Sequence, residues 1–433
     1  MTNITTESFE GAAADGEAQA AVHAVHVGAM PPYPVYLEEG IAFRCGGLFA
    51  EHGIRRAVLI SNPVVGALYG GAVRNAMRAG GVEVDSAEVP DGEAYKTVGT
   101  VERLWERLAD LRADRATALV ALGGGVLGDL VGFAAATWLR GVPLVHIPTT
   151  VLAMVDSSVG GKVGVDLPQG KNLVGAFYNP RFVVSDPSLL LSLPPRVLAA
   201  GMAEVVKAAC IASPALFEAL EAREPALGPQ SLGQLIATAI DIKARIVSED
   251  PYERGVRATL NLGHTLGHAL EAGRGYHQIL HGEAVSQGMM AAIRISRALG
   301  VLEDDYEERL AALLTRMHLP TRIADPGWER VKGAMGVDKK RVDGKLRFVL
   351  PVGLGRVMVH SDVPLELVHE VYESLLEQHA SEPGYDEGYD DEGGAGASPD
   401  DGYERDEPLA DDAHDARDEH HEAPEDEMVD EDR

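Results

Sequence analysis

The sequence predicts an α/β protein in which a parallel sheet with flanking helices is followed by a mainly α-helical second part. Three observations carry this. Between Arg55 and Ile147 short apolar runs alternate with helical patterns, the signature of βαβ units. A glycine-rich turn at Gly123 to Gly128 separates a buried strand from an apolar helix. After Pro194 the pattern changes to long helical segments with few strand candidates.

In chain order, residues 1–25 lack a basic n-region, a continuous apolar stretch and an arginine-rich amphipathic pattern, so no signal or transit peptide is expected there and the segment reads as disordered. RRAVLIS and VEVDSAEV are strand candidates with a helix near Val65 to Ala79 between them, and a second helix runs near Val98 to Leu111. TALVAL and VPLVHIP are strands separated by an apolar helix. LSLPP then supplies prolines suited to a helix start, placing a boundary near residues 188–195. Helices are expected over Val197 to Ala212, Ser231 to Ser248 and Gly282 to Leu299. The expected division is a disordered start (1–25), an α/β domain (26–190), a helical domain (191–378) and an acidic, disordered tail (379–433), without internal repeats.

Composition excludes several classes. The chain of 433 residues has two cysteines, Cys45 and Cys210, far apart and outside any CxxC, so neither a disulfide framework nor a thiolate zinc site is expected. No apolar run is long enough to span a bilayer, and a cytoplasmic protein with no membrane partner is expected. Of the formal charge of −29, residues 381–433 carry 23 acidic against three basic side chains. The remainder is mildly acidic, which argues against a nucleic-acid partner. The tail has almost no aliphatic residues with which to offset its ordering entropy. It is read as solubilising charge rather than as an interaction or calcium-binding segment, with His414, His420 and His421 exposed.

Gly123, Gly125 and Gly128 have the GxGxxG spacing that lets a backbone approach a dinucleotide pyrophosphate at a helix N-terminus. The next strand ends in HIPTT without the acid that normally meets the ribose, and the same spacing also makes a tight packing turn. Farther on, His264 and His268 lie four apart on one helix face, with His281 after a short loop. HTLGH lacks the glutamate of HExxH, so a zinc-peptidase reading fails and another ligand must come from elsewhere. The segment VLAAGMAEVVKAACIA carries only two charges, Glu204 and Lys207, three apart. Either cluster alone fits a structural role; together they point to a metal site of Glu and His with an open position. Lys243 falls on the apolar stripe of Leu232, Leu235, Ile236, Ala239, Ile240 and Val247, where a lysine either snorkels or lines a site.

PDGEAYKT, GGGVLGDLVGFAAATWLRG, HIPTTVLAMVDSSVGGKVGVD, GKNLVGAFYNP, AAGMAEVVKA, NLGHTLGHALE, LHGEAV and DKK, taken in order, closely resemble the 3-dehydroquinate synthase family over roughly residues 30–375. The resemblance implies a Rossmann-like N-terminal domain followed by a helical metal-binding domain, and an enzyme using NAD and Zn2+ or Co2+. It further implies the shikimate-pathway conversion of 3-deoxy-D-arabino-heptulosonate 7-phosphate to 3-dehydroquinate and phosphate. By the resemblance, Glu204, His264 and His281 are the metal ligands, which makes His268 a substrate or proton-relay residue. Asp91, Gly92, Glu93, Ala94, Tyr95 and Lys96, then Gly125, Val126, Leu127, Gly128 and Asp129, and also Thr149, Thr150 and Lys171, correspond to NAD contacts, with Asp129 in place of the missing ribose acid. Lys162 falls between cofactor and substrate, while Asp156, Asn172, Lys207, Lys243, Glu253, Arg257, Asn261, His268, Lys339 and Lys340 correspond to substrate-site residues. Arg140 corresponds to a residue reaching a neighbour's site in a homodimer.

Sister sugar-phosphate cyclases, metal-dependent polyol dehydrogenases and a non-catalytic scaffold are the rival readings. Lys243, Arg257, Asn261, His268 and the DKK pair favour a substrate with a carboxylate. Nothing in the acidic tail carries chemistry, so a chain ending at Gln378 is expected to retain full turnover in a phosphate-release assay; a large loss would show that the tail takes part.

Overall fold

The computed structural model describes residues 21–27, 30–222, 228–275, 278–339 and 346–377. Within them one sheet is built from β1 (Ala21–Val27), β2 (Met30–Leu37), β3 (Arg56–Ser61), β4 (Glu83–Glu88), β5 (Ala118–Gly123) and β6 (Leu144–Pro148). After an antiparallel hairpin of β7 (Lys162–Leu167) and β8 (Gly170–Phe177), β9 (Phe182–Ser185) completes it. The order is β1-β2-β9-β6-β5-β3-β4, parallel except where β1 runs antiparallel to β2. The four strands expected from apolar runs are β3 to β6.

Every position of β5 and β6 is buried, as continuous apolar runs require when both faces of a parallel sheet are covered. Alternate side chains supply the two faces. Leu59, Val120 and Leu122 pack with Val73 and Met77 of α1 (Gly71–Ala79). Val58, Ile60 and Leu119 pack on the other face with Leu104 of α2 (Val98–Asp110) and Leu130 of α3 (Gly125–Thr137).

One expectation is corrected. Residues 21–25, read with the polar start as disordered, belong to β1, with Val25 fully buried against the helical core. A single short strand with Val25 turned inward is hidden when composition is averaged over the whole segment. Residues 1–20 and the acidic tail lie outside the described residues.

The second half is carried by α4 (Pro195–Ala212), α5 (Pro229–Glu249), α6 (His264–Gly273), α7 (His281–Ala298) and α8 (Trp328–Lys339), with an unforeseen hairpin of β10 (Arg347–Gly353) and β11 (Arg356–Ser361). All residues of α4 from Ala200 to Ile211 are buried, so this helix is surrounded on every side. Its close neighbour is α7, where a Cβ at Gly282 would come within 1.7 Å of the Ala200 carbonyl oxygen. Only glycine permits that approach. Among the described residues no helix is long and apolar enough to cross a membrane, and Cys45 and Cys210 are free and buried.

Because β4 and β5 lie on opposite sides of β3, the sheet changes winding direction between β3 and β5. Ligand crevices in such sheets open at the carboxyl ends of the strands flanking that reversal, here Ser61 and Gly123. Beneath it on β6, His146 is only 5% exposed, and burial pushes its imidazole down to about 4. The unfolded chain therefore binds the proton first, near the ordinary value of 6.5. This contribution is complete above that value and lost as pH falls towards 4, roughly 3 kcal/mol in all. Urea midpoints at pH 7.5 and pH 4.5 should consequently fall less for His146→Leu than for the wild type; an equal fall would show that His146 is protonated in the folded state.

Candidate active site

The crevice opens into a cleft of about 1150 Å³ walled by both the sheet ends and the helices. Single-ligand sites occupy roughly 300–1,000 Å³, so the space admits a large ligand or two. On the sheet side, α3 starts directly after Gly124, presenting the unpaired amides of its first turn to the cleft. A Cβ at Gly125 would lie 3.0 Å from Ser157 Oγ, so substitution there would narrow this wall. Val126, Leu127 and Asp129 line it too, whereas Gly128 faces inward, where its added Cβ would meet His146 at 3.5 Å. Asn62 closes β3, accepts a hydrogen bond from the Val65 amide and donates one to Asp91 Oδ1 at 2.5 Å. Gly92, Glu93, Tyr95, Lys96, Thr149, Thr150 and Lys171 border the same space; Ala94 does not.

Lys96 is almost fully buried and donates to Asp129 Oδ2 at 2.7 Å and Asn172 Oδ1 at 2.6 Å. Burial alone would lower its pKa, yet the Asp129 and Glu93 charges prevail and raise it. Asp129 is itself pushed up by burial against the opposing pull of Lys96. Asn172 and Glu253 both adopt left-handed φ, 54° and 56°, so two non-glycine residues are held in an unfavourable backbone conformation at the cleft.

On the helical side, Glu204 projects from α4, His264 opens α6 and His281 opens α7. Glu283 holds that last helix start by accepting from the Leu280 amide at 2.9 Å, while Arg196 of α4 grips the same carboxylate at 2.6 Å. Thus one ion pair ties together the two helices bearing Glu204 and His281. Glu204 Oε1 lies 3.8 Å from His264 Nε2 and 3.6 Å from His281 Nε2, and it is buried without a hydrogen-bond partner. Lys207 contacts the other oxygen.

The histidine tautomers follow from their outer bonds. His264 Nδ1 meets the Leu262 carbonyl at 3.0 Å and His281 Nδ1 meets Glu271 Oε2 at 3.3 Å; both partners can only accept, so in each neutral ring Nδ1 carries the proton and Nε2 offers its lone pair. Two imidazole lone pairs and an orphaned carboxylate oxygen facing one point are a donor set for a divalent cation of the zinc type. The electrostatics agree. Burial lowers the His281 pKa, but the facing Glu204 and Glu271 carboxylates prevail and raise it to about 10, a strong local attraction for positive charge, so a metal binding there would displace the proton from its Nε2. His264, pushed well below its usual value by burial and Lys207, stays neutral as a ligand must.

His268 is exposed, its ring centre 5.1 Å from that of His264, and it joins Glu271 and His281 in an overlapping group. Periodicity alone pairs His264 with His268, while the group containing Glu204 draws its carboxylate from a helix about 60 residues earlier in the sequence. Lys243 lines the cleft rather than snorkelling, donating to Asp156 Oδ1 at 2.6 Å. Burial would raise the Asp156 pKa, but Lys243 and Lys207 hold it far below the usual carboxylate range. Lys162 pairs with Glu253, which also accepts from Asn261 at 2.7 Å. Arg257 is 3% exposed and donates to the Gly160 carbonyl at 3.1 Å.

Of three remaining expected residues, one stands apart from the cleft. Arg140 is exposed on the turn after α3, away from the cleft walls. Lys339 ends α8, of which Ala334 borders the cleft, and Lys340 lies outside the described residues. Asn62 and Glu271 were missed. For Glu271 a signal existed, since it follows His264 by seven and His268 by three and so shares their helix face.

Comparison with known proteins gives a consistent picture. The profile described as 3-dehydroquinate synthase N-terminal matches residues 86–200, and that described as 3-dehydroquinate synthase C-terminal matches residues 201–341. A 3-dehydroquinate synthase from Synechococcus sp. is 46% identical over 74% of this chain and 89% of its own length. The same enzyme from Gloeobacter violaceus is 44% identical over 80% of this chain and 97% of its own. Among solved structures, 2-deoxy-scyllo-inosose synthase complexed with carbaglucose-6-phosphate, NAD+ and Co2+ superposes with a TM-score of 0.74 at 30% identity, over 82% of this chain and 100% of that one. The 2-epi-5-epi-valiolone synthase from Streptomyces hygroscopicus with NAD+ and Zn2+ gives 0.74 at 25%, over 80% and 97%. A glycerol dehydrogenase from Schizosaccharomyces pombe, 14% identical with a TM-score of 0.57 over 78% of this chain and 87% of its own, shares the fold alone.

Two ion pairs in the cleft should respond differently to removal of the lysine. Lys96→Met removes a lysine that is 5% exposed from a carboxylate that is 18% exposed and is expected to cost about 3 kcal/mol. Lys162→Ala breaks a pair whose lysine is 52% exposed and should cost at most about 1 kcal/mol. Urea denaturation of both variants checks this, and similar losses would mean that burial does not set the strength of these pairs.

Proposed function

The chain belongs to the 3-dehydroquinate synthase family, and from that premise we propose that it is itself a 3-dehydroquinate synthase, a carbon–oxygen lyase of the shikimate pathway. It converts 3-deoxy-D-arabino-heptulosonate 7-phosphate to 3-dehydroquinate and phosphate with NAD and Zn2+ or Co2+. The carrying observation is the orphaned Glu204 oxygen facing two tautomer-fixed histidines inside the cleft that also holds the glycine turn. Glu204, His264 and His281 would hold the metal, and the first turn of α3 with Asp91, Lys96 and Lys171 would hold the nucleotide. Bound there, the metal would acidify a substrate hydroxyl, and NAD would accept a hydride from C5 and return it later.

The chain's own residues do the rest. Lys207 occupies one oxygen of Glu204, leaving the other for the cation. Lys243 and Asp156, hydrogen-bonded to each other and lining the cleft, are suited to fix the substrate's hydroxyls. Lys162, half exposed at the mouth, supplies positive charge for the phosphate that leaves once the C5 ketone has acidified the neighbouring C6 proton. Arg257 and Asn261 lie where the substrate carboxylate would be recognised, and His268 is placed to move a proton. After re-reduction, ring opening and an intramolecular aldol closure need chiefly a cleft that holds one conformation.

The same reading assigns the α/β part to residues 26–190 and the helical part to 191–378, and it takes the protein as a cytoplasmic homodimer to whose second cleft Arg140 contributes. Its exposed position fits a reach outward rather than into its own cleft.

Purified protein given 3-deoxy-D-arabino-heptulosonate 7-phosphate should release phosphate only when NAD and zinc are present, with no net NADH absorbance. Glu204→Ala should fall below about 1% of that rate. Release from sedoheptulose 7-phosphate or glucose 6-phosphate instead would assign a sister cyclase; steady NADH accumulation with a polyol would assign a dehydrogenase, and inactivity throughout would favour a binding role.

A further inference from the structure

His281 belongs to two groups of ligating side chains, and these cannot both hold a cation. Its Nε2 faces Glu204 and His264, whereas its Nδ1 carries the proton donated to Glu271 Oε2 at 3.3 Å. Glu271 is 3% exposed, and its other oxygen, Oε1, lies 3.3 Å from Lys171 Nζ, an ammonium that would repel a second cation. That ammonium is also 3.4 Å from Glu93 Oε1, on the turn that walls the sheet side of the cleft beside Asp91 and Lys96. A continuous chain of charged contacts therefore runs from the nucleotide wall through Glu93, Lys171, Glu271 and His281 to the orphaned oxygen of Glu204.

We propose that Glu271 is a positioning residue that couples the nucleotide and metal sites, one oxygen fixing the His281 tautomer and the other sharing Lys171 with the nucleotide wall. The proposal rests on the metal- and nucleotide-dependent reading above. An anionic nucleotide beside Lys171 draws the ammonium's charge away from Glu271. The carboxylate then accepts more strongly from His281 Nδ1–H, and Nε2 becomes a better donor to the metal. Linkage requires the metal to tighten nucleotide binding by the same factor.

The test is the zinc dissociation constant of the full chain, by competition with a chromophoric chelator, with and without NAD+. Wild type should bind one zinc, at least about fivefold tighter with NAD+. Glu271→Gln, isosteric with the wild type, should bind zinc about 10–100-fold more weakly and lose the NAD+ effect. Glu271→Asp, which keeps the charge but withdraws it by one methylene, should fall between the two, and circular dichroism confirms that the variants fold. If wild type binds zinc and NAD+ while Glu271→Gln matches its zinc affinity within about twofold, or shows the same NAD+ effect, the coupling is wrong and the proposed function stands. Two zinc ions per wild-type chain would also overturn it. A wild type that takes up no zinc would bring down both.

Discussion

The structure depends on keeping Glu204 charged in the buried middle of α4, where it is 3% exposed. A carboxylate buried on α4 would ordinarily take a proton, because burial penalises the ion. Lys207 on one oxygen and His281 near the other reverse that balance and hold the Glu204 pKa below its usual value despite burial. Much of the helical half serves this arrangement. Gly282 lets α7 come against α4, and the Arg196–Glu283 pair fixes the first turn of α7, so that His281 meets Glu204.

The sheet imposes a matching constraint from the other side. Its change of winding between β3 and β5 leaves a gap where the strand ends cannot cover one another, and the glycine turn starts α3 at that gap. The same core that buries α4 includes Val25, Val35 and Val183 from the sheet, so the helices are seated directly on β1, β2 and β9. The residues proposed to hold the nucleotide and those proposed to hold the metal thereby come together around one cleft, as a reaction needing a hydride acceptor and a Lewis acid at one carbon requires.

How much of this was legible in the sequence varied with the distance over which the signal acts. Strands β3, β5 and β6 were legible because burial on both faces writes a continuous apolar run, the edge strand β4 because VEVDSAEV stands between two helical patterns, and α4 stood out because only two charges break its apolar surface from Val197 onward. β1 was hidden by averaging, and the β10–β11 hairpin carries an exposed face with little apolar contrast. Helical period placed His264 and His268 on one face, which the overlooked Glu271 shares, but it says nothing about which of them meets a residue on another helix. Nothing in the period could bring in Glu204; the scarcity of charge on its helix singled it out beside Lys207, the order of motifs made it a ligand by family resemblance, and the geometry sets its orphaned oxygen against His264 and His281.

The cleft also explains how a strongly acidic chain can take anionic ligands. Of its −29 charges, 20 fall in residues 381–433, which leaves residues 1–380 only mildly acidic. What a phosphate meets is local. Lys96, Lys162, Lys171, Lys207 and Lys243 line the walls, each beside a carboxylate that anchors it. Pairing reduces the cost of burying each charge, yet an ammonium has three hydrogens, and its carboxylate partner uses only some of them. The anchored lysines can therefore offer donors to an anion with little rearrangement, so that much of the ordering needed for binding and elimination is complete before the ligand arrives.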